Sequence, residues 1–235
     1  MLSAAKHLPR LLAIGDIHGC HIALSALLDA VAPRPEDVLV VLGDFVDTGP
    51  DSRRVVERLI RLRDETRLVP LLGNHEELML AAREGLSQLG AWMNFGGDRT
   101  LASYAPPGGR PDLGLIPEAH WRFIESCHDF FETEGHIFVH GMAAPDRPLA
   151  EQDPRELRWA RFEEAGPHGS GKTVICGHDR QCSGLPADRG FTVCIDTNPT
   201  DGGWLSCLDV GTGRVWQANE AGEQRTLSLK SPDVS

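Results

Sequence analysis

Apolar residues fall into short unbroken runs that each stop at a glycine followed by an acid or amide. "RLLAI" at 10–14 precedes Gly15-Asp16, "VLVVL" at 38–42 precedes Gly43-Asp44, and "RLVPLL" at 67–72 precedes Gly73-Asn74. Such runs, bounded by turn residues, predict buried strands. Between them, residues 21–30 and 51–63 repeat their aliphatic positions every three or four residues, the spacing of an amphipathic helix. This alternation predicts an α/β domain with neighbouring, mostly parallel strands whose carboxyl ends share one edge.

The pattern changes at 77. Helical spacing at 77–95 and 117–130 brackets the Gly/Pro-rich "YAPPGGRPDLGLIP", which predicts a helical cap over about 77–135 that is too short to hold its own core. Strand-like segments follow at 136–140, 172–176, 191–196, 204–210 and 214–217. The last ones are closely spaced around "NPTDGG" and "GTG", so this half is expected to be more antiparallel. Two packed mixed sheets flanked by helices accommodate both halves. The domain is expected to span 10–218, with a polar, poorly ordered tail at 219–235.

At 235 residues and 41% hydrophobic composition the chain can fill one substantial core. A formal charge of −11 argues against a nucleic-acid polymer as partner, although metal ions can supply local positive charge for phosphate. The six cysteines form no CxxC or regular framework and read as reduced thiols. No apolar leader precedes Pro9 and no run approaches the roughly 18 residues of a membrane span, so a cytoplasmic location without membrane partners is expected.

The strand ends carry the chemistry. Asp16-x-His18, Asp44 with Asp47, and Asn74-His75-Glu76 follow the first three runs; His140 and His178 follow later ones. Carboxylate, imidazole and carboxamide oxygen suit manganese, iron or zinc. Any one string is commonplace in surface turns. Five of them, each behind a candidate strand, point to one metal site. "GSGKT" at 169–173 lacks the full phosphate-loop spacing and precedes a strand, which excludes an ATP loop.

Together GDIHG (15–19), GDFVDTG (43–49), GNHEE (73–77), VHG (139–141) and GH (177–178) resemble the calcineurin-like metallophosphoesterases. "GPDS", "WMNFGGDRTLASY", "LRWARF" and "IDT" extend the likeness over about residues 10–210, nearest to the bacterial serine/threonine protein phosphatases and symmetrical dinucleoside tetraphosphatases. The resemblance implies a four-layer fold and two divalent ions, manganese first, with iron, zinc or nickel as alternatives. It implies Asp16, His18 and Asp44 on one ion and Asn74, His140 and His178 on the other, with Asp44 bridging. His75 would protonate the leaving oxygen and Asp47 would orient it. Glu76 would brace the turn or simply suit a helix start.

Several positions depart from that pattern. Thr48 stands where the family has a phosphate-binding arginine, which leaves Arg161, then Arg99, as candidates beside Asn74 for substrate contact. Arg53 and Arg54 belong to a surface helix. Gly-Met follows His140, Asp-Arg follows His178, and "DTNPTDGG" replaces a more glycine-centred "DTG" stretch. Trp92, Phe95 and Tyr104 suit packing better than base stacking. The expected substrate is a phosphorylated protein, bearing phosphoserine or phosphothreonine, or a small phosphoester. Symmetrical hydrolysis of a dinucleoside tetraphosphate is the close alternative, and a non-catalytic phosphate-ligand scaffold the distant one.

Overall fold

In the computed structural model, which describes residues 8–229, each apolar run becomes a strand or its immediate exit. β1 (Leu11–Ile14), α1 (His21–Val31), β2 (Val38–Val41), α2 (Ser52–Leu62) and β3 (Arg67–Pro70) alternate as expected, and the three strands pair in parallel. Leu12, Ile14, Leu39 and Val41 meet the helices, while Ala13, Val40 and Leu42 meet the second sheet. Burial on both faces explains why these runs show no polar alternation.

The cap is more broken than its periodicity suggests. α3 starts at Asn74, not 77, and runs to Ala81; α4 (Leu86–Trp92) and α5 (Asp98–Tyr104) flank a π-helical turn at Met93–Gly97. α6 (Glu118–Glu125) ends short of 130, because β4 (Phe130–Glu132) begins there. β5 (His136–Val139), β6 (Thr173–Cys176), β7 (Ala187–Asp188) and β8 (Thr192–Cys194) join β4 in the second sheet, with α7 (Pro154–Trp159) between β5 and β6. β9 (Leu205–Asp209), β10 (Arg214–Ala218) and β11 (Gln224–Ser228) return to the first.

The sheets run β11-β10-β9-β1-β2-β3 and β4-β5-β6-β8-β7. Phe138, Ile175 and Val193 pack between them against Val40 and Leu208, and the outer face of the second sheet packs on Leu149, Leu157 and Phe162. Helix, sheet, sheet and helix therefore form four layers. The antiparallel expectation holds for β9–β11 but not for β5, β6 and β8, whose long connections return each strand in parallel. Residues 224–228, assigned to the polar tail by composition, form β11, an edge strand that pairs with β10 and half-buries only Arg225 and Leu227. The tail expectation for 230–235 lies outside the described residues. All six cysteines are free, and no helix among the described residues is long and apolar enough to cross a membrane.

One ion-pair knot ties the start of the sheet. The fully buried Asp37 accepts Arg10 N (2.9 Å), Nε (3.0 Å) and Nη2 (2.6 Å), while Arg34 N donates at 2.9 Å. Arg10 also caps α1 through the carbonyls of Val31 and Ala32. Burial alone would raise the Asp37 carboxyl, but the Arg10 and Arg34 hydrogen bonds prevail and hold it down at about 2. A carboxyl lowered on folding contributes its full stability above the ordinary value near 3.8 and loses it as pH falls through about 2. Asp37→Asn is therefore expected to cost about 2 kcal/mol at pH 7 and roughly half as much at pH 3. Urea unfolding at both values measures this; an equal gap at the two pH values contradicts it.

Candidate functional site

The carboxyl ends of β1, β2, β3, β5 and β6 meet at one edge, and every acid, amide and imidazole singled out in the sequence emerges there. The turns are unusual in conformation. His18, Asp44, Asp47, Thr48 and His178 all have positive φ without being glycine. Left-handed backbone at such residues costs on the order of 1–3 kcal/mol each, so the surroundings must impose it.

Glu76 is what imposes it on Asp44. Fully buried in the first turn of α3, its carboxylate accepts four backbone N–H groups: Gly73 (3.0 Å), Asp44 (2.7 Å), Phe45 (2.9 Å) and Val46 (3.1 Å). The two strand-end loops are thereby fastened to one side chain. Gly73 is required for space, since a Cβ there would lie 2.2 Å from Asp44 Oδ1. Burial first, and then Asp44, push the Glu76 carboxyl up to about 7, while its donors favour the charged form. The neighbouring Glu77 serves the cap: it accepts Arg158 Nη1 (2.8 Å) and Trp159 Nε1 (3.2 Å), which joins α7 to α3.

Among the described residues, two groups of side chains could hold metal ions, and Asp44 belongs to both. His18, Asp44 and His75 converge in one, and Asp44, His140 and His178 in the other. Asp44 Oδ2 faces His18 Nε2 at 3.7 Å, and Oδ1 faces His140 Nε2 at 3.3 Å. Asn74 Oδ1 lies 2.9 Å from His140 Nε2 and 3.0 Å from His178 Nδ1. Asp16 is buried at the same edge, with the His178 N–H donating to its carboxylate, but it joins neither group. His75 stands in its place beside His18 and Asp44.

The donor chemistry fits divalent ions. His140 Nδ1 lies 2.8 Å from the Leu42 carbonyl and His18 Nδ1 lies 3.0 Å from that of Val46. A neutral imidazole has one N–H, and these carbonyls claim it, so each Nε2 presents a lone pair to the site. His140 then faces the Asn74 oxygen lone pair against lone pair, an arrangement that only a cation or an added proton satisfies. Burial lowers His18 to about 3 and His178 to about 4, which keeps both rings neutral and able to coordinate. Negative charge is in excess: burial, then Asp196 and Asp44, raise the Asp16 carboxyl well above its usual range, and buried Asp196 Oδ2 has no hydrogen-bond partner among the described residues.

His75 and Asp47 form a separate device. His75 Nδ1 lies 2.9 Å from Asp47 Oδ2. Burial would lower this imidazole, but Asp44 and Asp47 outweigh it and raise it to about 9. Asp47 is held by Trp92 Nε1 (2.8 Å) and Thr100 Oγ1 (2.7 Å), while its own N–H reaches Ser52 Oγ (3.0 Å). Packing was the expected role of Trp92, and it is fully buried, but its indole N–H also fixes Asp47. A buried tryptophan requires a partner for that N–H; the 45 residues separating the pair hide which one. Tyr104 is buried against His120, as packing predicts, whereas Phe95 is exposed and faces the cavity.

The cavity over these groups measures about 330 Å³ and is bordered by Phe95, Trp159, Arg161 and Arg180. Arg161 Nε is held by Asp179 at 2.6 Å. Arg99 is not among the lining residues: it lies exposed on α5, where the helical phase turns Thr100 toward Asp47 instead. Arg53 pairs with Glu57 on the surface of α2. Thr48 meets Gly96 of the cap, and its hydroxyl has no hydrogen-bond partner among the described residues. Arg180, which the sequence reading passed over, reaches the cavity from the departure that follows His178.

Glu76→Gln replaces an acceptor oxygen by a donor that faces N–H groups, so it is expected to cost about 3 kcal/mol. Thermal and urea unfolding measure this. A variant as stable as the parent contradicts the role of the carboxylate.

The solved structures similar to this chain share its fold. A crystal structure provisionally called a diadenosine tetraphosphatase covers 97% of each chain at 22% identity, with a TM-score of 0.64. A protein serine/threonine phosphatase from Saccharomyces cerevisiae covers 98% of this chain and 83% of its own at 16% identity, with a TM-score of 0.61. Among curated proteins, the symmetrical bis(5'-nucleosyl)-tetraphosphatase of Acidovorax sp. (strain JS42) is 49% identical over 73 residues, 31% of this chain and 25% of that protein. That of Pectobacterium atrosepticum is 43% identical over 76 residues, 32% of this chain and 26% of its own. The matched stretch thus spans about a quarter of these relatives. The family model of calcineurin-like phosphoesterases matches residues 9–182, from just before β1 to beyond His178 and Arg180, so the chain belongs to that family of metal-dependent phosphoesterases.

Proposed function

We propose that the chain hydrolyses a dinucleoside polyphosphate, with symmetrical cleavage of a dinucleoside tetraphosphate as the leading reaction. This reverses the order expected from the sequence, which put phosphoprotein first. The observation that carries it is the cavity border: exposed Phe95 stands 6.1 Å from Trp159, ring to ring, beside Arg161 and Arg180. Aromatic faces beside arginine forks suit a base and its phosphates. The local identity to symmetrical tetraphosphatases supports the same choice.

His18, Asp44, Asn74, His140 and His178 would hold two divalent ions, with Asp16 behind them; manganese heads the candidates. Such ions, when bound, supply Lewis acidity and lower the pKa of water. The chain's own residues do the rest. His75 would deliver a proton to the leaving phosphate oxygen. Asp47 holds Nδ1, so that Nε2 faces the site, and Trp92 and Thr100 keep Asp47 still. Arg161 offsets phosphate charge, its fork set by Asp179, and Arg180 assumes the part of the arginine absent at Thr48. Asn74 orders the edge between His140 and His178 and contacts the substrate.

The metal-loaded chain is expected to prefer diadenosine tetraphosphate over a phosphothreonine peptide by at least about a hundredfold in kcat/KM, roughly 2.7 kcal/mol. His75→Asn should lower kcat by about 10²–10⁴ while leaving the fold intact. Steady-state kinetics on both substrates decide the matter; a hundredfold preference for the peptide contradicts the proposal.

A further inference from the structure

A second cavity of about 490 Å³ adjoins the first, and the two share Arg161, His178 and Arg180. Arg189 borders only the second, where its guanidinium lies 4.4 Å from the centre of the Phe162 ring. The site is built from two directions. Arg161 and Phe162 leave α7, whereas Arg180 follows β6 and Arg189 lies between β7 and β8. Asp179 joins them: one oxygen holds Arg161 Nε, and the other accepts the Phe162 N–H. Both of its oxygens are thereby engaged.

Three arginines around one cavity outnumber the two acids that line it, Asp179 and Glu163, in a chain whose formal charge is −11. The Asp179 contact engages only the Nε of Arg161, which leaves the terminal nitrogens for a ligand. Stacking on Phe162 occupies the face of Arg189 and leaves its edge donors available. Arg180 meets Asp201 at 3.6 Å, and both side chains are largely exposed, so that pair restrains it little. The bland alternative, a solvated basic surface, does not require a ring stacked under Arg189 or a carboxylate fastening Arg161.

We infer that Arg189, with Arg161 and Arg180 at the boundary of the two cavities, forms a subsite for the phosphates beyond the reacting one, so that a polyphosphate chain runs from the His75 cavity into the second. This rests on the dinucleoside polyphosphate reading and specifies it. A phosphomonoester would use the first cavity alone. A tetraphosphate places its remaining phosphates along the arginines, and Arg189 reads chain length.

The test is calorimetry on metal-loaded His75→Asn protein, with divalent ion in excess, titrated with adenosine monophosphate and with diadenosine tetraphosphate. Adding Arg189→Gln is expected to weaken the tetraphosphate about tenfold and the monophosphate less than about twofold, with Arg189→Lys recovering part of the loss. Unchanged tetraphosphate affinity, or equal weakening of both ligands, overturns the subsite. Turnover of the dinucleotide by the unaltered chain is scored separately. Turnover together with an indifferent Arg189 removes the subsite alone, whereas Arg189-dependent binding without turnover removes the substrate reading alone.

Discussion

A single buried carboxylate keeps the reaction edge in shape. Glu76 accepts N–H groups from both the loop after β2 and the loop after β3, so Asp44 and Asn74 cannot move independently. That fixture makes the left-handed conformation at Asp44 tolerable, while Ser52 and Thr100 hold the N–H of Asp47. It also explains the spacing GNHE. The asparagine, the histidine and the glutamate occupy successive positions of one helical turn, and each points to a different task.

Charge is the second constraint. Asp16, Asp44, Asp47, Glu76 and Asp196 are all buried near one edge, and among the described residues no lysine or arginine is buried among them. Some of the balance comes from backbone N–H groups and some from His75. The rest is a deficit that two divalent ions fit, because the imidazoles of His18 and His178 are kept neutral and His140 gives its Nδ1 to a carbonyl. Arginines stand outside this ring, at the cavity borders, where phosphate oxygens would meet them. A site assembled in this way would hold phosphate by cations of two kinds, metal within and guanidinium around.

Much of this was legible in the sequence because strand ends write locally. An apolar run, a glycine and an acid declare a buried strand and what stands at its exit, and the first three units folded as read. What escaped depends on distance or phase. Trp92 and Thr100 reach Asp47 across 45 and 53 residues, so no spacing rule connects them. Arg99 and Thr100 are adjacent, and only the phase of α5 decides which one faces inward. Arg180 looked like a departure that weakened the substrate groove, yet the backbone after β6 delivers it to that groove. The parallel pairing of β5, β6 and β8 escaped because their connections, unlike the turns around β9 and β10, carry no local signature.

The central claim is that one carboxylate, Asp44, is shared by two metal positions. Equilibrium dialysis with manganese, followed by metal analysis, tests it most directly on the parent chain, His140→Ala and Asp44→Ala, with folding checked by circular dichroism. The account predicts two ions per parent chain, about one in His140→Ala, and neither retained tightly in folded Asp44→Ala. Two tightly held ions in folded Asp44→Ala would contradict it.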